Sequence, residues 1–284
     1  MQIRFVAVSR AAKRKPNSGG GNNVGMVECR PVALWTCDGL RLAADHWDHG
    51  TRDLAAVVAH GFTGWSRNPH VRRICHGLAG HGMGLLAVDF RGHGRSAGQS
   101  TAGGDEIRDV AAAVAWLRDN GYRSVVALGW SMGGTAVLRH AGLGGDADAV
   151  VSVSAPGTWF ERGTHSMRRV HWMFEKRVGR VTARVLRHTR IAADGWAVLP
   201  EAPAEVVGAI APRPLLIVHG EADRYFPLSH VEALAAAAPT AQVWIEPMMG
   251  HAETATSAEL IDRIGRWVLD NHGDRLRPGA GLSR

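Results

Sequence analysis

Short, uninterrupted apolar runs recur along the chain at 54–59, 84–88, 124–128, 149–153, 215–218 and 242–245. A run of this length without polar alternation reads as a strand buried on both faces. Between several of them the period becomes helical. Ile107, Val110, Val114 and Leu117 fall on one face at three- and four-residue steps, which predicts a helix over 107–117. Ahead of the first run, two strand-like stretches within 32–47 flank Cys37-Asp38-Gly39, and Asp-Gly predicts a hairpin. Buried strands alternating with helices predict an α/β fold with a mostly parallel central sheet and helices on both faces.

The alternation lapses over 157–205, where Trp159, Phe160, Trp172, Phe174 and Trp196 gather between two predicted strands. An insertion there predicts a helical cap over the carboxyl ends of the strands, the side on which open α/β sheets bind ligands. The expected organisation is a loose basic leader over 1–25, an α/β domain over 26–271 that carries the cap, and a flexible tail over 272–284. Residues 16–25 are too rich in Gly and Asn to bury surface that would offset ordering. Met26 is a second candidate start.

Charge and cysteine usage narrow the partners. The formal charge is +7, but residues 1–25 hold five basic side chains and no acid, while 26–271 hold 25 of each sign. A neutral body with basic ends is not the footprint of a nucleic-acid-binding protein. The three cysteines, Cys29, Cys37 and Cys75, form no CxxC pair and predict neither a disulfide framework nor a zinc site. The apolar run 5–8 precedes its basic neighbours, the reverse of a signal peptide. No apolar run approaches the ~18 residues of a membrane span. A cytoplasmic location is the expectation.

Candidate chemistry centres on Gly129-Trp130-Ser131-Met132-Gly133, which follows the run 124–128 and opens a helical stretch over 135–140. A serine between a strand and a helix sits on a strained turn, and flanking glycines let the backbone double back. Ser131 is thus the candidate nucleophile, and the Met132 N–H at the helix start is a candidate oxyanion donor. His60-Gly61-Phe62 follows the run 54–59 and can aim the Phe62 N–H at the same point. The acid must follow a later strand, where His219-Gly220-Glu221-Ala222-Asp223 supplies two carboxylates. Asp223 is preferred to Glu221 because it lies further along the turn. Among 15 histidines, His251 follows the last predicted strand and precedes the final helix over 257–269, which makes it the candidate base. His60, His93 and His219 adjoin glycines in turns and read as loop-stabilising. Trp130, Trp159 and Phe160 are the candidate substrate contacts.

Taken together, these motifs and Asp89-Phe90-Arg91-Gly92-His93-Gly94-Arg95-Ser96 resemble the α/β-hydrolase superfamily. The nearest likeness is to its esterase, monoacylglycerol-lipase-like and serine-aminopeptidase-like group. The resemblance runs from about residue 32 to 269 and implies the chain order Ser131, Asp223, His251. It implies a serine hydrolase that needs no metal or organic cofactor and acts on a small-molecule acyl ester. Thioesterase, C–C hydrolase, peptidase and acyltransferase chemistry share the triad, and an inactive binding protein on this fold is the non-enzymatic alternative. A serine nucleophile argues against the dehalogenases and epoxide hydrolases of the superfamily, which carry aspartate there. The cap matches no subfamily.

Within the cap, Met167, Val170, Phe174, Val178, Val181 and Val185 step as one helical stripe. Residues 160–190 also hold nine basic and two acidic side chains. The preferred reading is one cap helix with its stripe on the body and a solvated basic face. The rival is a surface for anionic lipid or an acidic substrate.

Overall fold

The computed structural model describes residues 28–196 and 198–272. The leader, and the tail beyond residue 272, lie outside the described residues. Strands are β1 (Glu28–Trp35), β2 (Arg41–Asp48), β3 (Leu54–Ala59), β4 (Gly84–Val88), β5 (Ser124–Trp130), β6 (Ala149–Val153), β7 (Leu215–Gly220) and β8 (Gln242–Glu246). Helices are α1 (Pro69–Ala79), α2 (Glu106–Asp119), α3 (Met132–Gly142), α4 (His165–Glu175), α5 (Arg177–Arg187), α6 (Pro203–Val206), α7 (Ser229–Ala237), α8 (Ala252–Ala255) and α9 (Ala258–Asn271).

The strands form one sheet in the order β1-β2-β4-β3-β5-β6-β7-β8. The β1–β2 hairpin and the β2–β4 pair are antiparallel, and every pairing from β4 to β8 is parallel. Side-chain alternation along β3 explains the two layers. Ala55, Val57 and Ala59 join a core with α2 and α3, whereas Leu54, Ala56 and Val58 join a second core with α1 and α9. Every residue of β3, β4, β5 and β6 is buried, as strands covered on both faces must be. Local signals set the helix starts: Asn68 caps α1 through the His70 N–H, and Ser257 caps α9 through the Leu260 N–H.

The inserted segment departs from the expected single helix. Lys176 adopts extended backbone (φ −103°, ψ 135°) and splits the run into α4 and α5. Gly179 lets the two helices meet closely, since a Cβ there would lie 2.3 Å from the Trp172 carbonyl oxygen. The split divides the apolar stripe. Met167, Val170 and Phe174 line a cavity, but Val178, Val181 and Val185 on α5 are 68%, 54% and 64% exposed. Their expected packing on the body is therefore not what the structure shows. The second half of the insertion is tied down instead by Arg190, whose guanidinium donates to the Ser96 and Gly98 carbonyls. Trp196 donates to the Thr101 carbonyl, and Arg139 to that of Glu201.

Candidate active site

Ser131 sits between β5 and α3 with φ +50°. That left-handed backbone costs a non-glycine residue energy and is held by its surroundings. The flanking glycines are required by close approach. A Cβ on Gly129 would lie 2.2 Å from the Gly133 carbonyl oxygen, and one on Gly133 2.2 Å from that of Ala59. The turn projects the Ser131 hydroxyl into the cavity over the sheet.

Loops after β7 and β8 bring two more side chains to it. His251 Nε2 lies 2.9 Å from Ser131 Oγ, and His251 Nδ1 lies 2.8 Å from Asp223 Oδ2. A carboxylate only accepts, so the Nδ1 proton points to Asp223 and the Nε2 lone pair faces the Ser131 hydroxyl. Asp223 is held from its other side by the Tyr225 and Phe226 N–H groups, which donate to Oδ1. Burial pushes its carboxyl up, but the His251 hydrogen bond and charge, with those two N–H groups, outweigh burial and hold it below its ordinary value. Glu221 is exposed and has no partner for its carboxylate among the described residues.

The two candidate oxyanion donors also lie on the cavity wall. Neither the Phe62 nor the Met132 N–H has an acceptor among the described residues. The loop that carries Phe62 is built from buried histidines. His60 Nε2 accepts from the Phe90 N–H, so its Nδ1 donates to the Gly61 carbonyl. His93 Nδ1 donates to the Arg91 carbonyl, and its Nε2 faces the Thr63 N–H at 3.4 Å. Burial pushes both imidazoles below their ordinary value, which suits these neutral roles. The motif from Asp89 to Ser96 buttresses the same region, with Asp89 accepting from the Ser66 N–H and pairing with Arg95.

Two residues here escaped the reading of the sequence. Glu253, on α8 just past His251, accepts the Gly61 N–H and so ties the loop that carries Phe62 to the His251 loop. Tyr225 stacks on the His251 ring with centroids 4.2 Å apart. Tyr225 had a signal, an aromatic two residues after Asp223. Glu253 had none, because its partner lies 192 positions away.

The cavity holds about 1200 Å³ and reaches from Ser131 and His251 up to α4. Trp159 and Phe160, two of the candidate substrate contacts, are on its wall. Trp130 is not. It is buried on the α1 and α9 side of the sheet, and its indole N–H donates to Thr256 Oγ1 at 3.1 Å. Trp130 shares the parity of Val126 and Leu128 along β5, so its side chain leaves the strand on the face away from α3. Phe174 of the cap packs on Phe62 at 4.8 Å between centroids. Among the described residues, no group of three or more His, Cys, Asp or Glu side chains is arranged to hold a metal ion.

A family model for the alpha/beta hydrolase family matches residues 56–263. The chain belongs to that family. Among solved structures, this α/β-hydrolase is similar to the Pyrococcus furiosus esterase Pf2001, at 22% identity and TM-score 0.69 over 92% of this chain and all of the other. It is similar to the esterase domain of a Rhodothermus marinus protein, at 22% identity and TM-score 0.61 over 87% of this chain and all of the other. Est1E from Butyrivibrio proteoclasticus, solved with ferulic acid bound, is 20% identical with TM-score 0.58, over 84% of this chain and 98% of its own. At these identities the likeness is one of fold. A comparison with curated proteins finds no match.

Proposed function

We propose that this α/β-hydrolase cleaves a carboxylic ester through an acyl-enzyme on Ser131. The observation that carries the reading is one continuous relay, from Asp223 through His251 to Ser131 Oγ, beside two N–H groups that have no acceptor among the described residues. His251 Nε2 takes the Ser131 proton as Oγ attacks the acyl carbon. The Phe62 and Met132 N–H groups receive the charge that develops on the carbonyl oxygen. His251 then returns the proton to the leaving alcohol, and Asp223 stabilises the imidazolium in between. A water, deprotonated by the same nitrogen, releases the acid and restores the serine. Met167, Val170 and Phe174, with Trp159 and Trp196, give the cavity an apolar wall, which favours a small or medium apolar acyl group. The esterases among the similar folds support the same reading.

The test is direct. A fluorophosphonate probe is expected to label Ser131 alone, and Ser131→Ala to lower kcat by ~10⁴-fold or more on the best member of a p-nitrophenyl ester series. Acyl-CoA thioesters and aminoacyl-anilides are the competing substrates, and faster turnover of either class would replace the ester. Labelling elsewhere with Ser131 untouched would end the reading.

A further inference from the structure

Helix α5 presents two adjacent stripes to solvent. Arg177, Arg184 and Arg187 are exposed along one side, where Arg180 is half-buried and donates to the Phe174 carbonyl, and Val178, Val181 and Val185 follow one position behind Arg177, Arg180 and Arg184. The third side, Gly179 and Ala183, is the buried one and seats the helix. The valines are more than half exposed, and Leu186, 69% exposed, extends the apolar surface to the cavity that it lines. Phe160, Trp172 and Leu199 are exposed on the same cavity's wall, so apolar surface continues from the helix to the mouth. The arginine side is also uncompensated. Arg162 pairs with Glu175, whereas Arg177, Arg184 and Arg187 make no ion pair among the described residues.

We propose that α5 docks the protein on an anionic phospholipid surface, with the cavity mouth beside the lipid. Charge decides among the occupants that could cover the valines. A second copy meeting it cap to cap would bring an equally basic helix, and residues 1–25 hold five basic side chains and no acid, so both are repelled. A soluble polyanion would satisfy the arginines and leave the valines in water. A bilayer of anionic lipid meets both, taking the apolar stripe below the headgroups while the arginine heads reach the phosphates. No described helix is long and apolar enough to span a membrane. Docking does not depend on the esterase reading, because binding is measured without turnover.

The experiment is cosedimentation of the full chain with vesicles of phosphatidylglycerol in phosphatidylcholine, against phosphatidylcholine alone. Wild type is expected to sediment with the anionic vesicles, and raising salt from about 0.1 M to about 0.5 M should release much of it. Val178→Asp with Val185→Asp is expected to weaken partitioning by at least about tenfold. Arg177→Glu with Arg184→Glu should weaken it at least as far, at roughly fivefold for each arginine lost. Neither pair lines the cavity, so turnover of a water-soluble short-chain ester should stay unchanged. Should the valine pair fail to fold, the arginine pair decides alone. Wild type that ignores anionic vesicles, binds phosphatidylcholine equally well, or binds undiminished after the arginine changes overturns the proposal. So does a wild-type dimer that the arginine pair splits, since that assigns the surface to a second copy.

Discussion

At the scale of single residues, the choice between two carboxylates on one turn is made by direction. Asp223 and Glu221 differ by two positions, yet the Asp223 side chain is 1% exposed against the His251 ring while Glu221 faces solvent. Asp223→Asn cannot favour the Nδ1-protonated tautomer as a carboxylate does, and kcat is expected to fall by ~10⁴-fold. Glu221→Gln touches nothing the relay uses and should stay within about twofold of wild type. Steady-state kinetics on one ester checks both, and the reverse pattern would assign the acid to Glu221. Trp130 was legible in principle, because strand parity with Leu128 already turns it from the cavity side.

Between elements, Glu253 is the link between the loop after β3 and the short helix α8. Its carboxylate holds the Gly61 N–H, one residue before the Phe62 donor. Removing the acceptor leaves that N–H unpaired and frees the loop that carries the candidate donor to drift. Glu253→Ala is expected to lower kcat by about tenfold with KM and Tm little changed, less than the ~10² of losing a donor outright. Glu253→Gln keeps an acceptor oxygen and should restore most of the rate. A loss in Tm matching the loss in kcat, or no rescue by Gln, would make Glu253 merely structural. The cap shows the same dependence on context. A one-residue break at Lys176 leaves the three- and four-residue spacing intact, so no periodicity reveals it, yet it turns the second half of the stripe outward.

For the whole molecule, buried imidazoles set the response to acid. Burial pushes His46 and His140 down to about 4 and lowers His60, His93 and His219 as well. In the unfolded chain each titrates near ~6.5. Below that value the unfolded state binds protons the folded state refuses, so stability is full above ~6.5 and declines as pH falls towards about 4. Thermal unfolding across this window is expected to show Tm falling with acid and level above ~7. His140→Leu should remove its share of the slope. A Tm that does not change between these limits would show that the histidines are not held neutral.

The amino-acid sequence by itself determined the strands, because a run buried on both faces must be apolar throughout. It determined that Ser131, the turn holding Glu221 and Asp223, and His251 come together, because each follows a strand whose end faces the same side of a parallel sheet. Tertiary structure alone decided which carboxylate reaches His251, how Glu253 meets Gly61 and where the α5 valines point. Each of these depends on a side-chain direction or a contact between distant segments, and one-dimensional spacing encodes neither.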